Sequence, residues 1–192
     1  LGQEIWNLSE RFVKNAVTLF AEFEQQLSNT VAVMGYFGPS AMDMRRELST
    51  AMRDLTLYSR GLASEATEAA YNIASAGFNN LQDIKNLTEA AITLSEATLM
   101  PLERTGEIMT NTMNQFQLGT DQAMRAANAM VAVVRRSPLT LEKLSAGLEY
   151  AGAMASLFGM SLEEALAVAA ALAKMGNRGP RIGTEFRIML TG

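Results

Sequence analysis

Few residues of this chain could do chemistry. Glu163 and Glu164 are adjacent carboxylates, and paired carboxylates can serve as general acid and base. Their position argues for another role. Ser161 and Glu164 have the spacing of a capping box, in which a hydroxyl and a carboxylate satisfy the first free amides of a helix. Negative charge in that first turn also complements the helix dipole. The chain has no histidine and no cysteine. It therefore lacks the commonest general base, the commonest transition-metal ligand, and any thiolate or disulfide. No catalytic, cofactor-binding or metal-ligating residue is assigned, and the chain is expected not to be an enzyme.

Signals for nucleic acid are equally thin. Gly176-Asn177-Arg178-Gly179 has the form of the Gly-x-x-Gly clamp of KH modules, but those need strands, and a polar turn is the better reading. The segments around Gly159 have the outline of a helix-turn-helix. The second helix would offer Glu163, Glu164 and alanines to the bases, where Arg, Lys, Asn or Gln are required. The net charge of -4 and a pI near 5.0 lack the electrostatic footprint of a phosphate binder. Lys174, Arg178, Arg181 and Arg187 form a basic group diluted by Glu185. It reads first as a solvated face and second as a contact for an acidic partner surface.

The elements that position these residues are helical almost throughout. Ile5, Leu8, Phe12, Ala16, Leu19, Phe23, Leu27, Val31 and Met34 recur at three and four. This predicts one amphipathic helix between about residues 4 and 34, some 45 Å long. Trp6, Val13, Val17 and Phe20 widen its apolar face, as a helix packed on two sides requires, and are candidates for self-association. Gly35, Gly38 and Pro39 stop it, and Met44, Leu48, Ala51, Leu55 and Tyr58 form the next stripe. Ser64 is expected to cap a short helix that ends at Gly77, with Phe78 folding back onto Ile73. Asn80 caps a helix that Pro101 breaks, and the following one runs to a stop at Gly119. Thr120, Thr140 and Ser161 open three more helices, Gly159 and Gly176 end two of them, and Pro180 suits the start of the last after a Gly176–Gly179 loop. The Gly-hydroxyl-acid-Ala pattern after Gly119 and Gly159 is capping chemistry common to helices in general, not a sign of duplication.

The fold class is thus all-α: one long N-terminal amphipathic helix followed by a compact bundle of about seven shorter helices. Residues 1–37 form the first unit and 38–192 the second. Nearly half of the 192 residues are hydrophobic, enough for a real core. The longest apolar run, Ala165 to Ala173, is far short of a membrane span. Thirteen methionines fall mostly on apolar stripes, where core packing is the default. Leu1 is not methionine, and Ile188-Met189-Leu190 still follow a helical pattern. The chain is expected to be a segment of a longer protein.

Composition gives only a helical domain, and function enters by resemblance. Ser64-Glu65-Ala66-Thr67-Glu68-Ala69-Ala70-Tyr71-Asn72-Ile73-Ala74-Ser75-Ala76-Gly77-Phe78 resembles the core-region signature of phage tail tape measure proteins. Ala21 to Leu27, Asn114 to Gly119, Leu148 to Gly152, Ser156 to Glu164 and Met175 to Thr184 are similar to that family in order and spacing. The Arg178-Gly179-Pro180-Arg181 stretch departs from it by a proline and added positive charge. The resemblance implies a structural protein in the tail tube lumen that templates tube polymerisation, fixes tail length and leaves the tube when DNA is delivered. It implies location in the virion tail, lumen or tip, and in the host cytoplasm during assembly. Its partners would be further copies of itself, as a homotrimer, together with tube and tip or baseplate proteins. A tape measure of a contractile injection system or tail-like bacteriocin would share the fold. A helical adaptor and a membrane-active helical protein are the remaining alternatives. The second of these would need a lysine- and arginine-rich polar face.

Overall fold

A computed structural model of the chain describes residues 2–57, 59, 61–176 and 180–191, and of residues 2–9, 11 and 12 the backbone alone. Among the described residues there are nine α-helices and no strands, one helix more than the spacing predicts. They are α1 (Gly2–Val33), α2 (Pro39–Thr56), α3 (Ala63–Ser75), α4 (Leu81–Thr98), α5 (Leu102–Gln115), α6 (Ala123–Arg136), α7 (Leu141–Leu157), α8 (Leu162–Lys174) and α9 (Pro180–Thr191). No described helix is long and apolar enough to cross a membrane.

Short helices cannot bury their apolar stripes alone, so they stack. α3 lies at the centre of the N-terminal half and packs on α1, α2, α4 and α5. Four of its buried residues, Ala66, Ala69, Ala70 and Ala74, are alanines, and their small side chains permit close approach. A Cβ on Gly106 of α5 would sit 3.5 Å from that of Ala69. α4 and α5 carry the core onward to α6 and α7, while α7 packs along α9 and α8 touches α6, α7 and α9. One continuous core results. Its largest fully buried side chains run from Leu27 through Met52, Ile73, Leu94 and Met113 to Phe186. Met52, Met109, Met113 and Met130 are buried fillers, whereas Met42, Met175 and Met189 are exposed.

The helix ends show which local signals act. Asn80 Oδ1 accepts the Asp83 amide at 2.8 Å, and Thr140 Oγ1 accepts that of Lys143 at 3.3 Å. The box at α8 is reciprocal: Glu164 Oε2 accepts the Ser161 amide at 2.8 Å, and Ser161 Oγ accepts the Glu164 amide at 3.3 Å. Gly77 and Gly159 take positive φ, and the next residues, Phe78 and Met160, donate back to Ile73 and Ala155.

Three expected boundaries are corrected. Ser64 does not cap α3. The Glu65 carboxylate accepts the Leu62 amide at 3.1 Å, so the helix starts at Ala63 with Ser64 already inside it. Gly119 does not stop α5. Gln117 is the left-handed residue, with φ 51, and Leu118 donates to Met113 O, so the turn closes two residues early. Gly119 is extended and precedes a 3-10 turn, Thr120–Gln122, which stands where Thr120 was expected to cap α6 directly. Gly176 has φ 96 at the end of α8, while Gly179 lies outside the described residues.

Candidate assembly surface

α1 is one continuous helix with two environments. From Phe23 onward its stripe is internal: Phe23, Leu27, Thr30, Val31 and Met34 are buried against α2 and α3. From Val13 to Glu22 every residue is exposed. Val13, Val17, Leu19 and Phe20 each present more than half of their surface to solvent. Of the candidates for self-association, Val13, Val17 and Phe20 therefore lie together on the free part of α1. The Trp6 side chain, with those of Ile5, Leu8 and Phe12, lies outside the described residues. Exposed apolar side chains at this spacing are of the kind that interaction sites use.

The residues weighed for acid–base chemistry are dispersed into structural roles. Glu163 pairs with Arg125 of α6 at 3.4 Å. Glu164 is held below the usual carboxylate range by the Ser161 amide first and its hydroxyl second, as a capping group should be. No group of three or more carboxylates that could hold a metal occurs among the described residues.

The described members of the basic group near the C-terminus lie on two helices. Arg181 Nε donates to Glu185 at 3.0 Å along α9. Arg187 is six residues on, which places it roughly 120° around the helix from Arg181. Lys174 ends α8, and Arg178 lies outside the described residues.

A basic surface missed by sequence reasoning lies instead on α2. Arg45, Arg46 and Arg53 line one groove against α1. The signal was present, because residues 42, 45, 46, 49 and 53 recur at three and four. Asp43, Glu47 and Asp54, interleaved with them, hide the segregation from any count of net charge.

Comparison with known proteins supplies the biological setting. A family described as phage-related minor tail protein matches residues 46–192, which leaves α1 and the start of α2 outside the match. The tape measure protein of Pneumococcus phage Dp-1 is 25% identical over 176 residues, 92% of this chain and 15% of that protein. A probable tape measure protein of Escherichia phage P2 is 27% identical over 171 residues, 88% of this chain and 20% of its own length. The chain thus spans a fifth or less of these relatives. No solved structure matches it.

Proposed function

The chain belongs to the phage-related minor tail protein family, and from that premise we propose that it is a structural segment of a tail tape measure protein, working as a compact docking or anchor body. The observation that carries this reading is the single core shared by short helices. A ruler needs a continuous rod whose length is proportional to residue number. As one helix these residues would reach about 290 Å. Folded back on themselves from α2 to α9, they contribute little to length. The extended part of the parent protein sets tail length from inside the tube, and this body seats it on the tip or baseplate during assembly and before genome delivery.

The free part of α1 is the region we assign to self-association. A protein within a rotationally symmetric tube is most simply accommodated by a compatible symmetry, and a trimer about α1 is the proposed state. Val13, Val17 and Phe20 would face the axis. The same geometry would suit the tape measure of a contractile injection system.

Tail lengths measured by electron microscopy test the reading. Removing whole helical turns from extended parts of the parent protein is expected to shorten tails in proportion. Removing residues 140–158 is expected to abolish or misdirect assembly. Uniformly shorter, otherwise normal tails from that second deletion would make this segment part of the ruler.

A further inference from the structure

A groove lies between the inner half of α1 and α2. It holds two depressions of about 290 Å³ each, both lined by Met42 and Arg45. Their chemistry differs. Near the α1–α2 turn the walls are Val31, Ala32, Tyr36, Phe37 and Ala41. Phe37 is 72% and Met42 70% exposed there. Along α2 the walls carry three guanidinium groups, Arg45, Arg46 and Arg53, against one carboxylate, Glu24.

Local contacts steer these cations without burying them. Arg45 pairs with Glu24 at 3.2 Å, and Arg46 with Asp43 at 3.5 Å. The Arg53 guanidinium sits 5.4 Å from the centre of the Phe23 ring. A guanidinium has five donors, so one carboxylate or one ring leaves most of them available. The α1 wall of the groove also runs beyond the body. Val17, Phe20, Glu24, Leu27 and Val31 recur at three and four on α1, joining the groove to the exposed stripe.

We infer that this groove receives an acidic amphipathic helix from a different protein. Its apolar side chains seat against Phe37 and Met42, and its carboxylates, three or four residues apart, bridge to Arg45, Arg46 and Arg53. The cations disfavour a second copy of α1 as occupant. Along residues 10–22 of that helix, Glu10 and Glu22 are balanced by Arg11 and Lys14, two acids against two bases and no net charge. A helix with surplus carboxylates gains from three arginines what a neutral one does not. Nothing in this recognition depends on a tail.

The test is selection of a library of helical peptides, randomised at exposed positions, against the purified full chain. Peptides with Asp or Glu at three- or four-residue spacing beside Leu or Phe should be enriched. Their binding should weaken about tenfold or more in the Arg45→Gln/Arg46→Gln/Arg53→Gln variant, as expected when charge-assisted bonds are lost, and should fall as salt rises. Arg181→Gln/Arg187→Gln should leave it unchanged. If the triple variant melts early, Arg46→Glu alone gives the same readout, since Arg46 pairs along its own helix. Enrichment of neutral or basic helices, no enrichment above background, or binding indifferent to the arginines would overturn the inference. So would a dimer of the chain that the triple variant dissociates, because the occupant would then be a second copy.

Discussion

Three residues show how single side chains set the local balance. Gln117 closes α5 with φ 51, a conformation that costs a non-glycine residue about 1 kcal/mol. Gln117→Gly is therefore expected to raise stability by up to that amount, read from thermal melting, and a lower melting temperature would contradict it. Gly183 marks a close approach of α9 to the α7 backbone: a Cβ there would lie 2.5 Å from that of Tyr150 and 2.6 Å from the Gly147 carbonyl oxygen. The backbone of α7 cannot yield like a flexible side chain, so Gly183→Ala should destabilise by about 1–3 kcal/mol. Glu164 gives a pH signature. Its folded pKa is depressed by Ser161, so its contribution is present above the unfolded pKa and is lost as pH falls through the folded one. Melting temperature between about pH 5 and 3 should decline less steeply in Glu164→Gln than in the parent chain. Equal slopes would show that the carboxylate is not coupled to folding.

At the scale of elements, α1 is the case that matters. Its stripe has one period from end to end, yet Val13 to Glu22 are exposed and burial begins at Phe23. A helix without tertiary support is marginal in water, so the free part is expected to be stabilised by association. Removing residues 1–21 should leave the melting temperature of the body nearly unchanged while abolishing concentration-dependent sedimentation. Leu27→Ala, in the buried part, should cost about 2–5 kcal/mol. A body that fails to fold without residues 1–21 would show that the exposed stretch has an internal role. The division into residues 1–37 and 38–192 stands as a proposal, and burial refines it: the inner half of α1 shares the core of the bundle.

For the whole molecule, the order of packing makes the body cooperative. α7 lies against α9 and also touches α5, α6 and α8, so it ties the C-terminal helices to the rest. Its loss would uncover Phe186 and Ile182 of α9 and leave α8 and α9 joined to the rest chiefly through the packing of α8 on α6. Deleting α7 is expected to replace one sharp thermal transition by a broad, non-two-state one, measured by circular dichroism and calorimetry. A retained sharp transition would mean that α7 is not what makes the body one cooperative unit.

The sequence by itself determined the helical class, most of the stops and the caps at Asn80, Thr140 and Ser161. These depend on interactions within a few residues, which spacing and side-chain type encode directly. It also carried the family, because the order of capped segments from Ser64 to Thr184 is itself a pattern. Where two local signals compete, spacing does not arbitrate: Glu65 overrides Ser64 at the start of α3, and Gln117 closes α5 before Gly119 is reached. Tertiary structure alone decided which stretch of α1 is buried, since Val17 and Leu27 are alike in type and differ only in whether another helix lies opposite. It alone placed Arg45, Arg46 and Arg53 together beside α1 and separated Arg181 from Arg187. Charge and hydrophobicity are properties of residues, but a surface exists only once neighbouring helices have fixed which faces remain uncovered.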